Sequence, residues 1–159
     1  MPEDERTQDL AFMRMALEEA ARAPAVGEVP IAALIVHDGQ VLAQTHNYRE
    51  TWQDPTAHAE VIAIRSASAA LGTWRLNDTT LYVTVEPCSM CIGAIILARV
   101  SRVVFGAWDP KGGACGSLFN LPSEPKLNHR VLVTGGVLEQ ESQILLQKFF
   151  KELREASPL

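Results

Sequence analysis

Apolar positions change period along the chain, and that change predicts its elements. From 5 to 22 they recur at three- and four-residue steps (Leu10, Met13, Leu17, Ala20, Ala21), the stripe of an amphipathic helix ended by Pro24 and Gly27. Two strands, at 31–36 and 41–46, flank Asp38-Gly39, a pair that accepts the positive φ angles of a tight hairpin turn. A polar loop over 47–55 leads to a helix over 56–71, closed by Gly72. The run at 80–85 reads as a buried strand, Pro87 opens a helix over 88–99, and 102–108 is another strand. Residues 109–128 are rich in Gly and Pro and too long for a plain connector. A fifth strand at 130–134 and Gly135-Gly136 precede a helix over 137–155, where Leu138, Leu145 and Phe149 mark the apolar stripe. Strands alternating with helices from 56 onward imply parallel pairing, and the opening hairpin makes the sheet mixed. The economical arrangement is α/β: a three-layer α/β/α sandwich on a mixed five-stranded sheet, one domain over 1–159.

Composition narrows the classes. With 47% hydrophobic and 21% charged residues the chain can build a packed core, which excludes a disordered tail or a fibrous rod. No apolar run approaches the ~20 residues of a membrane span, and the acidic start is not read as a secretory signal. Three cysteines, at 88, 91 and 115, do not make a disulfide framework, so the expected compartment is the cytoplasm. The formal charge of −5 is uneven. Glu3, Asp4, Glu5, Asp9, Glu18 and Glu19 face only Arg6 and Arg14 in the first 20 residues, and the rest is nearly neutral. Net charge therefore neither supports nor excludes a polyanionic partner.

Two segments carry chemistry: Pro55-Thr56-Ala57-His58-Ala59-Glu60 and Glu86-Pro87-Cys88-Ser89-Met90-Cys91. Each opens a predicted helix. Cys88 and Cys91 are three apart, so both sulfurs share one helix face, in a first turn whose free N–H groups favour thiolates. Should the two helix starts converge, His58, Cys88 and Cys91 supply three zinc ligands and leave a fourth position open, the arrangement of a catalytic rather than a structural site. Glu60 would then lean toward a zinc-activated water and shuttle its proton. Alone, a C-x-x-C is a redox pair or half a structural zinc site; no thioredoxin-like pattern precedes this one. Cys115 reads as a small packed residue, and His37, His46 and His129 as surface or hydrogen-bonded histidines, with His129 also a possible phosphate or nucleotide contact.

Together the segments form H-x-E…P-C-x-x-C, the known signature of zinc deaminases acting on nucleobases. Between about 8 and 154 the chain resembles the cytidine deaminase-like superfamily and, within it, the bacterial tRNA-specific adenosine deaminases. The finer likeness rests on 28–33 (Glu-Val-Pro-Ile-Ala-Ala), 54–60, 81–88, 104–111, 116–118, and Asn128-His129-Arg130-Val131 with Gly135-Gly136-Val137-Leu138. The resemblance implies one Zn2+ per subunit, a homodimer, and hydrolytic conversion of adenosine to inosine at the wobble position of a tRNA anticodon stem-loop. Position by position, it implies that Asn47 hydrogen-bonds the base, that Val29, Pro30 and Val85 wall the pocket, that the Ala59 amide reads the base, and that Asp109 lies beside the sugar. Lys111, His129 and Arg130 are the candidate phosphate contacts, with Lys148, Lys151 and Arg154 on the last helix. Trp108 departs from the family pattern, standing where a basic residue is expected, and so does Tyr48-Arg49 after Asn47. The competing reading is a deaminase of a free base, nucleoside or nucleotide, of guanine or cytosine type, on the same scaffold.

Overall fold

The computed structural model describes residues 3–156; positions 1–2 and 157–159 of the expected domain lie outside the described residues. Helix α1 spans Glu3–Arg22 and passes through a 3-10 turn at Ala23–Val26. Strands β1 (Ala32–His37) and β2 (Gln40–His46) form the hairpin, with Asp38 at φ 49° and Gly39 at φ 74° in its two-residue turn. A one-turn helix α2 (Arg49–Trp52) follows, then α3 (Ala59–Leu71), β3 (Thr79–Val85), α4 (Ser89–Leu97), β4 (Arg102–Ala107), β5 (Leu132–Thr134) and α5 (Glu139–Ala156).

The strands lie in the order β2-β1-β3-β4-β5. β1 pairs antiparallel with β2 and β3, whereas β3, β4 and β5 run parallel, so the sheet is mixed and five-stranded as predicted. Alternation along the strands separates two cores. Ala33, Ile35, Leu81, Val83, Val103 and Phe105 pack on α3 and α4 through Ala63, Ala67, Ile92 and Ile95. Leu34, Val36, Tyr82 and Val104 face Met13 and Ala16 of α1 and Val137 and Leu138 before α5.

A buried ion pair pins α1 to the sheet. The Arg102 guanidinium donates to both Asp9 carboxylate oxygens at 2.8 and 2.6 Å, and the Tyr82 hydroxyl donates to Asp9 at 2.8 Å. Arg102 also reaches the Thr134 hydroxyl at 3.0 Å, so one guanidinium links α1, β4 and β5.

Several expected boundaries shift by a few residues, and each shift has a local cause. α3 starts at 59 rather than 56 because the Asp54 carboxylate accepts the Thr56 N–H (2.8 Å) and hydroxyl (2.7 Å) in a turn that precedes the helix. α2 is an addition to the expected loop, closed by Gln53 in the left-handed region at φ 49°. β4 stops at Ala107, and Trp108 turns out of the strand. β5 is confined to 132–134, and α5 starts two residues later than expected, after Leu138 at φ 53°.

Candidate active site

His58 is the N-cap residue of α3 and Cys88 that of α4; Cys91 lies three residues into α4. Both caps are extended, with ψ of 149° and 175°, and their carbonyls accept the Ile62 and Ile92 N–H groups that start the helices. Both helix starts lie on one face of the sheet. The Cys88 and Cys91 sulfurs stand 3.7 and 3.4 Å from His58 Nδ1, and the three ligand atoms all lie within 4.8 Å of one another. Tetrahedral zinc with ordinary Zn–S and Zn–N bonds would hold such atoms about 3.6 Å apart, so the donor set fits the ion in type and in spacing. Of the two thiols, Cys88 ionises first: the hydrogen bond from Cys91 and then the one to His58 pull it down to about 4. That same bond, together with burial, pushes Cys91 up. The Cys88 hydrogen bond in turn raises His58.

Glu60, in the first turn of α3, is 4% exposed. Burial pushes its carboxyl up to about 6, against the pull of its own backbone N–H and of the His58 ring. A cavity of about 220 Å³ opens over this group. Its walls include Val29, Asn47, Ala59 and Val85, four of the residues expected at the base, and Asp109, expected beside the sugar. Asn47 is buried, and its Oδ1 is the one buried side-chain oxygen or nitrogen among the described residues without a hydrogen-bond partner. A buried unpaired amide oxygen in a cavity wall is costly unless a ligand donates to it. Ala59 is the first residue of α3, so its N–H has no acceptor within the helix.

The comparisons agree with this geometry. A model of the MafB19-like deaminase family matches residues 7–154. The chain is 54% identical over 149 residues to the tRNA-specific adenosine deaminase of Bacillus subtilis (strain 168), covering 94% of this chain and 92% of that protein. This chain belongs to the tRNA-specific adenosine deaminase family. The Aquifex aeolicus (strain VF5) member is 48% identical, over 90% of this chain and 94% of its own length. A structure from work on A-to-I editing by tRNA:A34 deaminases superposes with a TM-score of 0.83 at 47% identity, covering 86% of this chain and 99% of that one. The guanine deaminase of Nitrosomonas europaea shares the fold at a TM-score of 0.75 and 27% identity, over 88% and 83% of the two chains.

In this member of the deaminase family, not every expected contact meets the cavity. Pro30 is buried between the lining residues Val29 and Ile31 without lining the cavity itself. Lys111 and Arg130 are exposed outside the cavity lining. His129 is tied through Nε2 to the Val100 carbonyl at 2.6 Å, which accounts for it structurally. Trp108 packs edge-on against Phe105, centroids 4.7 Å apart, over Gly116 and Gly135. Tyr48 is stacked between His46 (4.4 Å) and Trp52 (4.8 Å), while Arg49 lines the cavity.

The sequence reading missed Ile31, Arg49 and Glu86 in the lining, and Phe150 enters it from α5. It also missed Glu28, fully buried beside Val29. The Glu28 carboxylate accepts the Glu50 N–H (3.1 Å) and the Thr51 N–H and hydroxyl (both 2.5 Å), which anchors α2. The available signal was an acid placed directly before a pocket-wall segment, in a stretch otherwise apolar.

Proposed function

We propose that this chain deaminates adenosine to inosine at the wobble position of a tRNA anticodon loop. The observation that carries the proposal is the convergence of His58, Cys88 and Cys91 beside buried Glu60, under a cavity with an unpaired Asn47 oxygen. Zinc held by the His and two Cys would supply Lewis-acid activation of water. Glu60 is the group placed to take the proton from the attacking water, deliver it to N1 of the adenine, and pass a second to the departing amine. C6 gains the oxygen, ammonia leaves and the base becomes hypoxanthine. Asn47 Oδ1 accepts from the base edge and the Ala59 N–H donates to it, while Val29 and Val85 exclude water from its faces. Asp109 stands beside the sugar, and Lys111 and Arg130 meet phosphates outside the cavity. A stacked base cannot reach such a cavity, so a splayed loop suits it.

The relatives at 54 and 48% identity are named for tRNA, which favours this substrate over a free base. A cytoplasmic setting follows from that substrate, and no helix among the described residues is long and apolar enough to cross a membrane. On α4, Met90 and Leu97 are exposed on one helical face, Leu97 by 71%, and a second copy covering them makes a homodimer whose mass light scattering measures. The test of function is an anticodon hairpin carrying adenine at the wobble position, incubated with zinc-loaded protein and read for inosine. Wild-type protein should convert it while leaving free guanine, cytosine and adenosine untouched. Glu60→Ala should keep its zinc and lose about 10²–10⁴-fold in turnover. An unedited hairpin, or an active Glu60→Ala, overturns the reading.

A further inference from the structure

We infer that Glu86 is a positioning residue whose carboxylate moulds the 109–117 segment so that Asp109 meets the substrate; the role of Asp109 itself rests on the function proposed above. Glu86 follows β3 directly and precedes Pro87 and the ligand Cys88. Its side chain is 3% exposed, and no Lys or Arg pairs with it among the described residues. The segment satisfies it instead. Oε1 accepts the Asp109 N–H at 2.9 Å and the Ser117 hydroxyl, and Oε2 accepts the N–H groups of Cys115 (2.9 Å) and Ser117 (3.0 Å).

The two segments are also stitched by backbone. Ala114 N–H donates to the Pro87 carbonyl at 2.8 Å, and Gly113 pairs with Cys88 in an isolated antiparallel bridge. Gly113 is required there, because a Cβ at that position would collide with the Glu86 carboxyl group. A Gly-rich segment outside any strand has many conformations to lose on ordering, and a single acceptor with four donors around it selects one of them. Asp109 is then held from two sides: its N–H by Glu86, and its own Oδ1 by the N–H groups of Lys111 (3.1 Å) and Gly112 (3.3 Å). The carboxylate beside the substrate and the backbone of ligand Cys88 are thus referred to one buried group.

A double-mutant cycle in the full-length, zinc-loaded protein separates this role from mere scaffolding. Glu86→Gln keeps the shape and one carbonyl acceptor but turns an amide N–H toward the remaining donors. It should retain zinc and lower kcat/KM on the hairpin about tenfold, mainly through KM, and in an Asp109→Ala background it should cost less than about twofold further. A tenfold loss that persists without the Asp109 carboxylate overturns the inference, as does an unchanged kcat/KM. If Glu86→Gln fails to fold, Ser117→Ala enters the same cycle, with a drop of about threefold that vanishes beside Asp109→Ala. Additive losses, or none, again overturn it. Should the wild type leave the hairpin unedited, the functional reading fails and amide exchange still decides the role of Glu86. Faster exchange at Asp109, Cys115 and Ser117 in Glu86→Gln supports it, and unchanged exchange overturns it.

Discussion

Glu28→Gln isolates what holds the other wall of the cavity. Helix α2 has four residues and buries none of them, so beside the stack of Trp52 on Tyr48 its place depends on the Glu28 carboxylate, which accepts the Glu50 N–H and both donors of Thr51. A glutamine fits the same volume but has one acceptor oxygen. With that oxygen turned to Thr51, its NH2 faces the Glu50 N–H and leaves a partly buried donor unpaired, a loss of about 1–3 kcal/mol. In a domain of this size that is about 2–4 °C of Tm for each kcal/mol if the loss is felt globally. Burial pushes the Glu28 carboxyl up, yet the three hydrogen bonds outweigh it and hold the group below the usual carboxylate value. Its folded pKa is depressed, so its stabilisation is complete above the unfolded value and fades as pH falls through the folded one. The Tm gap between wild type and Glu28→Gln should therefore be widest near neutral pH and narrow as pH falls below the unfolded carboxylate value. Because α2 carries Arg49 and follows Asn47, kcat/KM on the hairpin should fall about tenfold, with faster amide exchange confined to Glu50, Thr51 and their neighbours. Wild-type kinetics with unchanged exchange at those two amides would refute the argument, as would a Tm gap that grows in acid.

Three further outcomes follow from the geometry. Cys88→Ala should fail to hold metal by elemental analysis, since it removes one of the three donor atoms that converge within 4.8 Å of one another. Asp9→Ala removes the buried partner of Arg102, leaving it the half-exposed Glu5 carboxylate at 3.3 Å, and takes away the acceptor of the Tyr82 hydroxyl, so it should destabilise the fold by about 3 kcal/mol in a denaturant titration. Lys111→Ala should lower the slope of log affinity against log salt for a single-stranded RNA by about 0.7, the release of one counterion, with little change in kcat.

Most of the fold was legible because its elements are locally consistent. The hairpin was marked by Asp38-Gly39, and the buried strands by the largely apolar stretches at 80–85 and 102–108. The group that could hold a metal, His58 with Cys88 and Cys91, was legible in part because the cysteine spacing is itself geometry: residues 88 and 91, at the start of one helix, share a face wherever the helix goes. Long-range satisfaction was not legible. Glu28 reaches Thr51 and Glu86 reaches Ser117, separations of 23 and 31 residues that no local pattern encodes. Trp108 is a similar case. Its role depends on a bed left by Gly116 and Gly135, where a Cβ would press on the indole, and those glycines come from two different loops.

The buried acids also change what the formal charge of −5 means for a polyanionic partner. Asp9, Glu28, Glu60 and Glu86 are each at most 4% exposed, so their charge is screened from solvent by protein rather than displayed at the surface. Asp9 is neutralised by Arg102; Glu28 and Glu86 are met by backbone N–H groups and hydroxyls instead of by cations. That choice has a consequence at the cavity. A Lys or Arg recruited to balance either acid would be a cation already spent beside the substrate. With backbone donors used instead, Arg49 stays the one Lys or Arg in the lining, and none of its side-chain nitrogens pairs with an acid among the described residues. The fold thus assigns Glu28 and Glu86 to fixing loops and leaves the exposed Arg49 guanidinium as the single basic group among the lining carboxylates Glu60, Glu86 and Asp109.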